Sequence, residues 1–160
     1  MPHAYRAVQW NPQKRAYDAT LAAGIGLHLA LFVGAGFALQ PHATVETLLI
    51  RALGTGAFLL LHGILAIGPL CRLDRRFLPL LYNRRHLGVA TFALALGHAA
   101  FATLQFHALG DANPLASVLT ANPRLASASQ FPFELFGVFA LAILFALAAS
   151  GVELAKLTLV

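Results

Sequence analysis

The apolar segment from Val89 to Phe106, opened by Arg84-Arg85-His86-Leu87-Gly88 and carrying His98 near its middle, constrains the fold more than any other stretch. A basic turn hands over to a run long enough to cross a bilayer, for which about 20 apolar residues suffice. At a helical rise of about 1.5 Å per residue, His98 lies about 15 Å beyond Gly88. Hydrocarbon offers an imidazole no partner at that depth, so the protein or something it binds must satisfy the ring nitrogens. An ionisable side chain there is a functional candidate for that reason.

The remainder of the chain repeats the same constraint. Of 160 residues, 59% are hydrophobic and 11% charged, and the apolar residues come in long blocks instead of at amphipathic spacing. An all-α integral membrane protein follows. The formal charge of +5 does not point to nucleic acid, because the basic residues flank apolar spans and so read as topology signals. Cys71 is the one cysteine, which excludes an internal disulfide, a two-cysteine haem attachment and a cysteine cluster for zinc or iron–sulfur.

Four spans are expected, at about 17–39, 48–70, 87–107 and 131–150, in one domain covering 1–160. A polar lead, Met1 to Arg15, precedes the first span. That span is too long for a signal-peptide core and no small-x-small cleavage site follows, so it is read as a retained helix. Gln40-Pro41-His42 breaks it, and Gly68-Pro69 is expected to end the second span. The chain then turns through a basic loop from Cys71 to His86. After the third span, Ala112-Asn113-Pro114-Leu115-Ala116-Ser117 is echoed by Ala121-Asn122-Pro123-Arg124-Leu125-Ala126-Ser127. Each Asn-Pro is a turn signal, and Leu115, Val118 and Leu119 suit a short helix on the membrane surface. Pro132 fits the first turn of the fourth span, and Gly151 to Val160 is read as a tail.

Nine of the Lys and Arg residues fall on the side of the N-terminal lead, the second loop and the tail, against Arg51 and Arg124 on the other. By the positive-inside rule, an antiparallel four-helix bundle has both termini in the cytoplasm.

Three histidines lie inside the spans. Along the third span Gly88, Thr91, Ala95, His98, Ala102 and Gln105 recur at spacings of three and four, which gives one face of small and polar residues. Two readings of that face are open. It accepts a neighbouring helix, with His98 hydrogen-bonded across the contact, or it accepts a porphyrin edge, with His98 as axial ligand to iron. A second ligand at similar depth is His28, about 16 Å into its own span, whereas His62 lies nearer 12 Å. His28 also sits beside a Gly26, Ala30, Gly34 row that equally supports helix packing. His107 is nine residues from His98, hence on the opposite helix face, at the outer end where it reaches water. His86 is read as an interfacial residue, against lipid phosphate or solvent, and His3 and His42 as solvated.

The basic loop, Arg84-Arg85-x-Leu87-Gly88 and His98 ten residues after the glycine resemble the ferric-reductase-like transmembrane domain. Within it they are most similar to the haem-binding membrane subunit of the periplasmic methionine sulfoxide reductase system. Leu27-His28-Leu29, the Gly68-Pro69-Leu70 turn and the character of Phe136 to Ser150 agree. The resemblance implies a b-type haem protein of the bacterial cytoplasmic membrane. It implies His98 as an axial ligand, with Arg84 and Arg85 near propionates or lipid. The implied partners are the lipid bilayer and a redox partner or other membrane subunit, including an iron–sulfur protein of Rieske type. Members of the family have about six spans, the fifth supplying further histidines, so two expectations stand: these residues resemble the front part of a six-helix domain in which His98 pairs with a histidine of a later span, or they form a shortened relative in which it pairs with His28 or His62 or binds no haem.

An electron-transfer haem protein and a haem-free scaffold subunit of a larger membrane complex are the two functional classes left open. No Gly-x-Gly-x-x-Gly follows a strand, so no nicotinamide or flavin site is expected. The six acidic residues are scattered, Glu134 being at a helix N-terminus, and no nucleophile–base pair appears.

Overall fold

The computed structural model describes residues 12–109, 113–119 and 133–157. The polar lead up to Asn11, the second Asn-Pro with Arg124, and the Phe131-Pro132 start of the fourth span lie outside these residues. The described chain is helical throughout its ordered elements: α1 is Pro12–Leu39, α2 Val45–Leu73, α3 Leu78–Tyr82, α4 Arg84–Phe106, α5 Pro114–Leu119 and α6 Phe133–Leu157, with a 3-10 turn at Arg75–Phe77. Helices α1, α2 and α4 are long and apolar enough to cross a membrane, and α6 holds a shorter apolar stretch, Glu134–Ala149.

Helix α2 is the centre of the packing. Its main neighbour is α4, α1 also packs on it, and α6 packs on α4. The buried apolar residues follow α2: Leu48, Ile50, Ala52, Ala57 and Ile67, with Leu94 from α4. Most remaining leucines and phenylalanines face outward, which suits a hydrocarbon surround, where apolar surface carries no penalty.

The expected end of α2 at Gly68-Pro69 is corrected: the helix continues through Pro69 to Leu73. Proline removes one N–H from the ladder and does not by itself stop a helix whose neighbours hold the turn. Here Asp74 N–H donates to Leu70 O at 3.0 Å, carrying the ladder past the ring. The basic loop is correspondingly structured. The Asp74 carboxylate accepts from Arg76 N–H at 2.8 Å, and the Cys71 thiol donates to Phe77 O at 3.2 Å. Pro12 opens α1 earlier than expected, since its missing N–H is unpaired in a first turn anyway, and α6 runs on through much of the expected tail, to Leu157.

At the other end of α2, Thr44 caps the helix through its hydroxyl, 3.4 Å from Thr47 N, and Arg51 donates to Gln40 Oε1 at 2.8 Å across the α1–α2 turn. Gly36 is the contact glycine of α1: a methyl group there would come 2.5 Å from Leu48 Cδ2. The Gly26 and Gly34 positions are open, with nothing within 4 Å.

Candidate functional site

Side chains on a helix lean toward its N-terminus, so the side chain of residue i+4 covers the carbonyl of residue i. Glycine at i+4 leaves that carbonyl bare. Helix α2 has this arrangement twice, at Ile50/Gly54 and Ala52/Gly56, and a histidine from a different helix occupies each opening.

From α4, His98 Nδ1 lies 2.8 Å from Ile50 O. A carbonyl only accepts, so Nδ1 carries the proton and Nε2 keeps its lone pair. Nε2 has no hydrogen-bond partner among the described residues. From α1, His28 Nε2 lies 3.2 Å from Ala52 O. The nearby Thr55 hydroxyl donates to Arg51 O at 2.8 Å, with Ala52 O at 3.1 Å, so the His28 bond to Ala52 O requires Nε2–H, and Nδ1 is the bare nitrogen. The two imidazoles therefore present different nitrogens.

The two bonds fall on α2 carbonyls two residues apart, about 3 Å along the axis, so His28 and His98 are level, as their depths in the sequence suggested. An iron shared through both Nε2 atoms would require His28 to give up its bond to Ala52 O. From Thr91 to Gln105 the small and polar face of α4 is covered, whereas Gly88 is open: Thr91 is 1% exposed, and Gln105 Nε2 donates to Thr47 Oγ1 of α2 at 3.1 Å. Of the two readings of that face, neighbouring-helix packing accounts for most of it, with His98 as the member that retains an unused nitrogen.

The remaining sequence candidates are dispersed. His62 is two turns further along α2, faces outward, and bonds its own helix at Phe58 O, 2.8 Å away. Arg84 and Arg85 lie in the first turn of α4, about 20 Å along the axis from His98. Their side chains are exposed and lean away from His98, toward the N-terminus of α4. His86 is corrected from a lipid or solvent contact to a protein one: its Nδ1 is 2.7 Å from Asp18 Oδ1, which ties α4 to α1, with Tyr17 edge-on to the ring. His107 is corrected from a water-reaching residue to a buried one, 7% exposed, bonded to Ser117 Oγ of α5 at 2.9 Å.

Beside His28 a groove of about 360 Å³ runs between α1 and α2 and reaches Leu94 of α4, its walls including Tyr17, Thr20, Gly24 and Gly56. Among the described residues, no three His, Cys, Asp or Glu side chains gather as a metal site. Gly54, Gly56 and the two bare carbonyls were missed in the sequence. The available signal was Gly54-x-Gly56 in the middle of an apolar span, where glycine marks a close approach.

Residues 53–158, from this glycine pair through α4 and α6, match the family model described as ferric reductase like transmembrane component. The chain belongs to that family. No curated protein and no solved structure matches it. Membership in the ferric-reductase-like family, together with the long apolar helices, makes this a multi-pass membrane protein with a redox role. The matched segment contains Gly54, His62 and His98, and leaves α1 with His28 outside it.

Proposed function

We propose that the chain is an electron-transfer subunit that binds b-type haem, with His98 Nε2 as an axial ligand. The observation that carries this reading is the 2.8 Å bond from His98 Nδ1 to Ile50 O. A metal-ligating histidine characteristically donates its other ring N–H to a carbonyl or carboxylate, which fixes the tautomer and raises the basicity of the ligating nitrogen. His98 meets that description in mid-span. His28 does not, because its Nε2 is committed to Ala52 O and its Nδ1 lies next to the carbon that joins the ring to the backbone, where a porphyrin plane meets the helix. The second axial ligand is accordingly a histidine other than His28, contributed by a further span or a partner subunit.

A haem held there supplies a one-electron carrier inside the low-dielectric span. The residues of this chain do the holding: the Ile50 carbonyl orients the ring, and the α2–α4 contact keeps water from it. Arg84 and Arg85 serve lipid phosphates, consistent with their exposed place at the start of α4. We take α6 as a fourth span, antiparallel to its neighbour, with both termini on the basic, cytoplasmic side of a bacterial inner membrane. A redox protein, such as a Rieske-type iron–sulfur protein, is the partner class this reading implies.

The test is a reduced-minus-oxidised absorption spectrum of the detergent-purified chain together with its partner subunits, with a pyridine haemochrome count. Haem b is expected, lost in His98→Ala and retained in His28→Ala. A folded preparation with no haem, or haem unaffected by His98→Ala, overturns the proposal.

The scaffold reading is favoured by one observation, the open Gly26 and Gly34 positions on α1. It predicts that Gly26→Leu or Gly34→Leu weakens assembly with a membrane partner more than any histidine substitution does. Intact assembly in both variants counts against it.

A further inference from the structure

We infer that Gly54 is a positioning residue for His98: by leaving the Ile50 carbonyl bare, it fixes which ring nitrogen carries the proton and so directs Nε2 outward as the ligand. This rests on the haem reading above. A methyl group on Gly54 would lie 2.9 Å from His98 Nδ1, closer than such carbons approach, and a tight 3.1 Å from Cε1. The ring would have to leave the carbonyl, or α4 would have to shift.

Helix α4 is poorly placed to shift. On one side of His98, Leu94 is buried and lies 3.3 Å from where a Gly56 methyl would stand. On the other, Gln105 is bonded to Thr47. Between them Gly97 sits in ordinary contact range of Leu53. With the helix held at both ends of the contact, a methyl on Gly54 displaces the imidazole. The lost Nδ1–H bond then leaves Nε2 a weaker donor to iron, which favours the reduced state and loosens the ligand.

Gly63 provides the control. It belongs to the same helix interior, yet nothing lies within 4 Å of a methyl placed there. Both substitutions to alanine improve helix propensity equally, so any difference between them reports the contact with His98.

The experiment uses the full chain in detergent with its partner subunits, as wild type, Gly54→Ala and Gly63→Ala. It reads the haem midpoint potential, the low-spin electron paramagnetic resonance signals and haem retention. Gly54→Ala is expected to raise the potential, move the resonance signals and lower apparent haem affinity about 10-fold, with Gly63→Ala unchanged. Haem that depends on His98 but is indifferent to Gly54→Ala overturns this inference and leaves the proposed function standing. Absence of haem from the wild type overturns the proposed function instead. Nitrogen-15 spectra of histidine-labelled chain, with His98→Gln to assign the signal, decide the tautomer with or without haem and even where Gly54→Ala does not fold. A proton on Nδ1 of His98 in the wild type supports the inference, and a proton on Nε2 overturns it.

Discussion

His28 bonds the Ala52 carbonyl of α2 through Nε2, and His98 bonds the Ile50 carbonyl, two residues away, through Nδ1. Equal depth therefore does not make them a matched pair, because they present different nitrogens. Replacing His28 by alanine should cost stability without touching a cofactor on His98. The expected loss is about 0.5–1.5 kcal/mol, that of one intramolecular hydrogen bond. Reversible unfolding in mixed micelles, followed alongside the absorption spectrum, checks both halves of this expectation.

Helix α1 meets α2 through Gly36, and its other small residues are uncovered. Gly36→Val should destabilise the chain by about 1–3 kcal/mol, the usual penalty for overpacking, because the added carbon would press on Leu48, a side chain 1% exposed. Gly34→Val in the same chain should be close to neutral. Denaturant midpoints of the two variants give the comparison, and equal midpoints would remove Gly36 from the packing argument.

The Asp18–His86 pair joins α1 to α4 with both side chains about one-third exposed, at 34% and 32%. Solvent screens such a pair, so a double-mutant cycle with Asp18→Asn and His86→Gln should give a coupling of only about 0.2–1 kcal/mol. The coupling should shrink as salt is raised. A salt-independent coupling would show that the contact acts as a neutral hydrogen bond.

Ser117→Ala should have a larger effect than its size suggests. It leaves the buried His107 Nδ1 without its partner, at a cost of about 1–3 kcal/mol. Because this bond anchors α5 to the end of α4, amide exchange in Pro114–Leu119 should accelerate while α2 is unaffected. Unchanged exchange in α5 would show that the helix is held by other contacts.

Helix α4 was legible because its information is one-dimensional. Arg84-Arg85, an apolar run and His98 fix a span, an entry point and a depth from spacing alone, and the small and polar face predicted a close neighbour before that neighbour was identified. Asn113-Pro114 likewise announced α5, whose first N–H groups are held by the Asn113 side chain at 3.0 and 3.5 Å. The end of α2 was misjudged because a proline's effect depends on what supports the turn around it. His86 and His107 were misjudged because Asp18 and Ser117 reach them only in three dimensions.

Composition, run length and residue spacing determined that this is a helical membrane protein, roughly where three membrane-length helices run, and that His28 and His98 share a level, because each follows from distance along one chain. Tertiary structure decided which carbonyl of α2 each imidazole meets, which nitrogen it presents, and that Gly54 and Gly56 are the openings. Those depend on the rotation of one helix against another, set by the close packing of Leu48, Ile50, Ala52 and Leu94, which no single helix encodes.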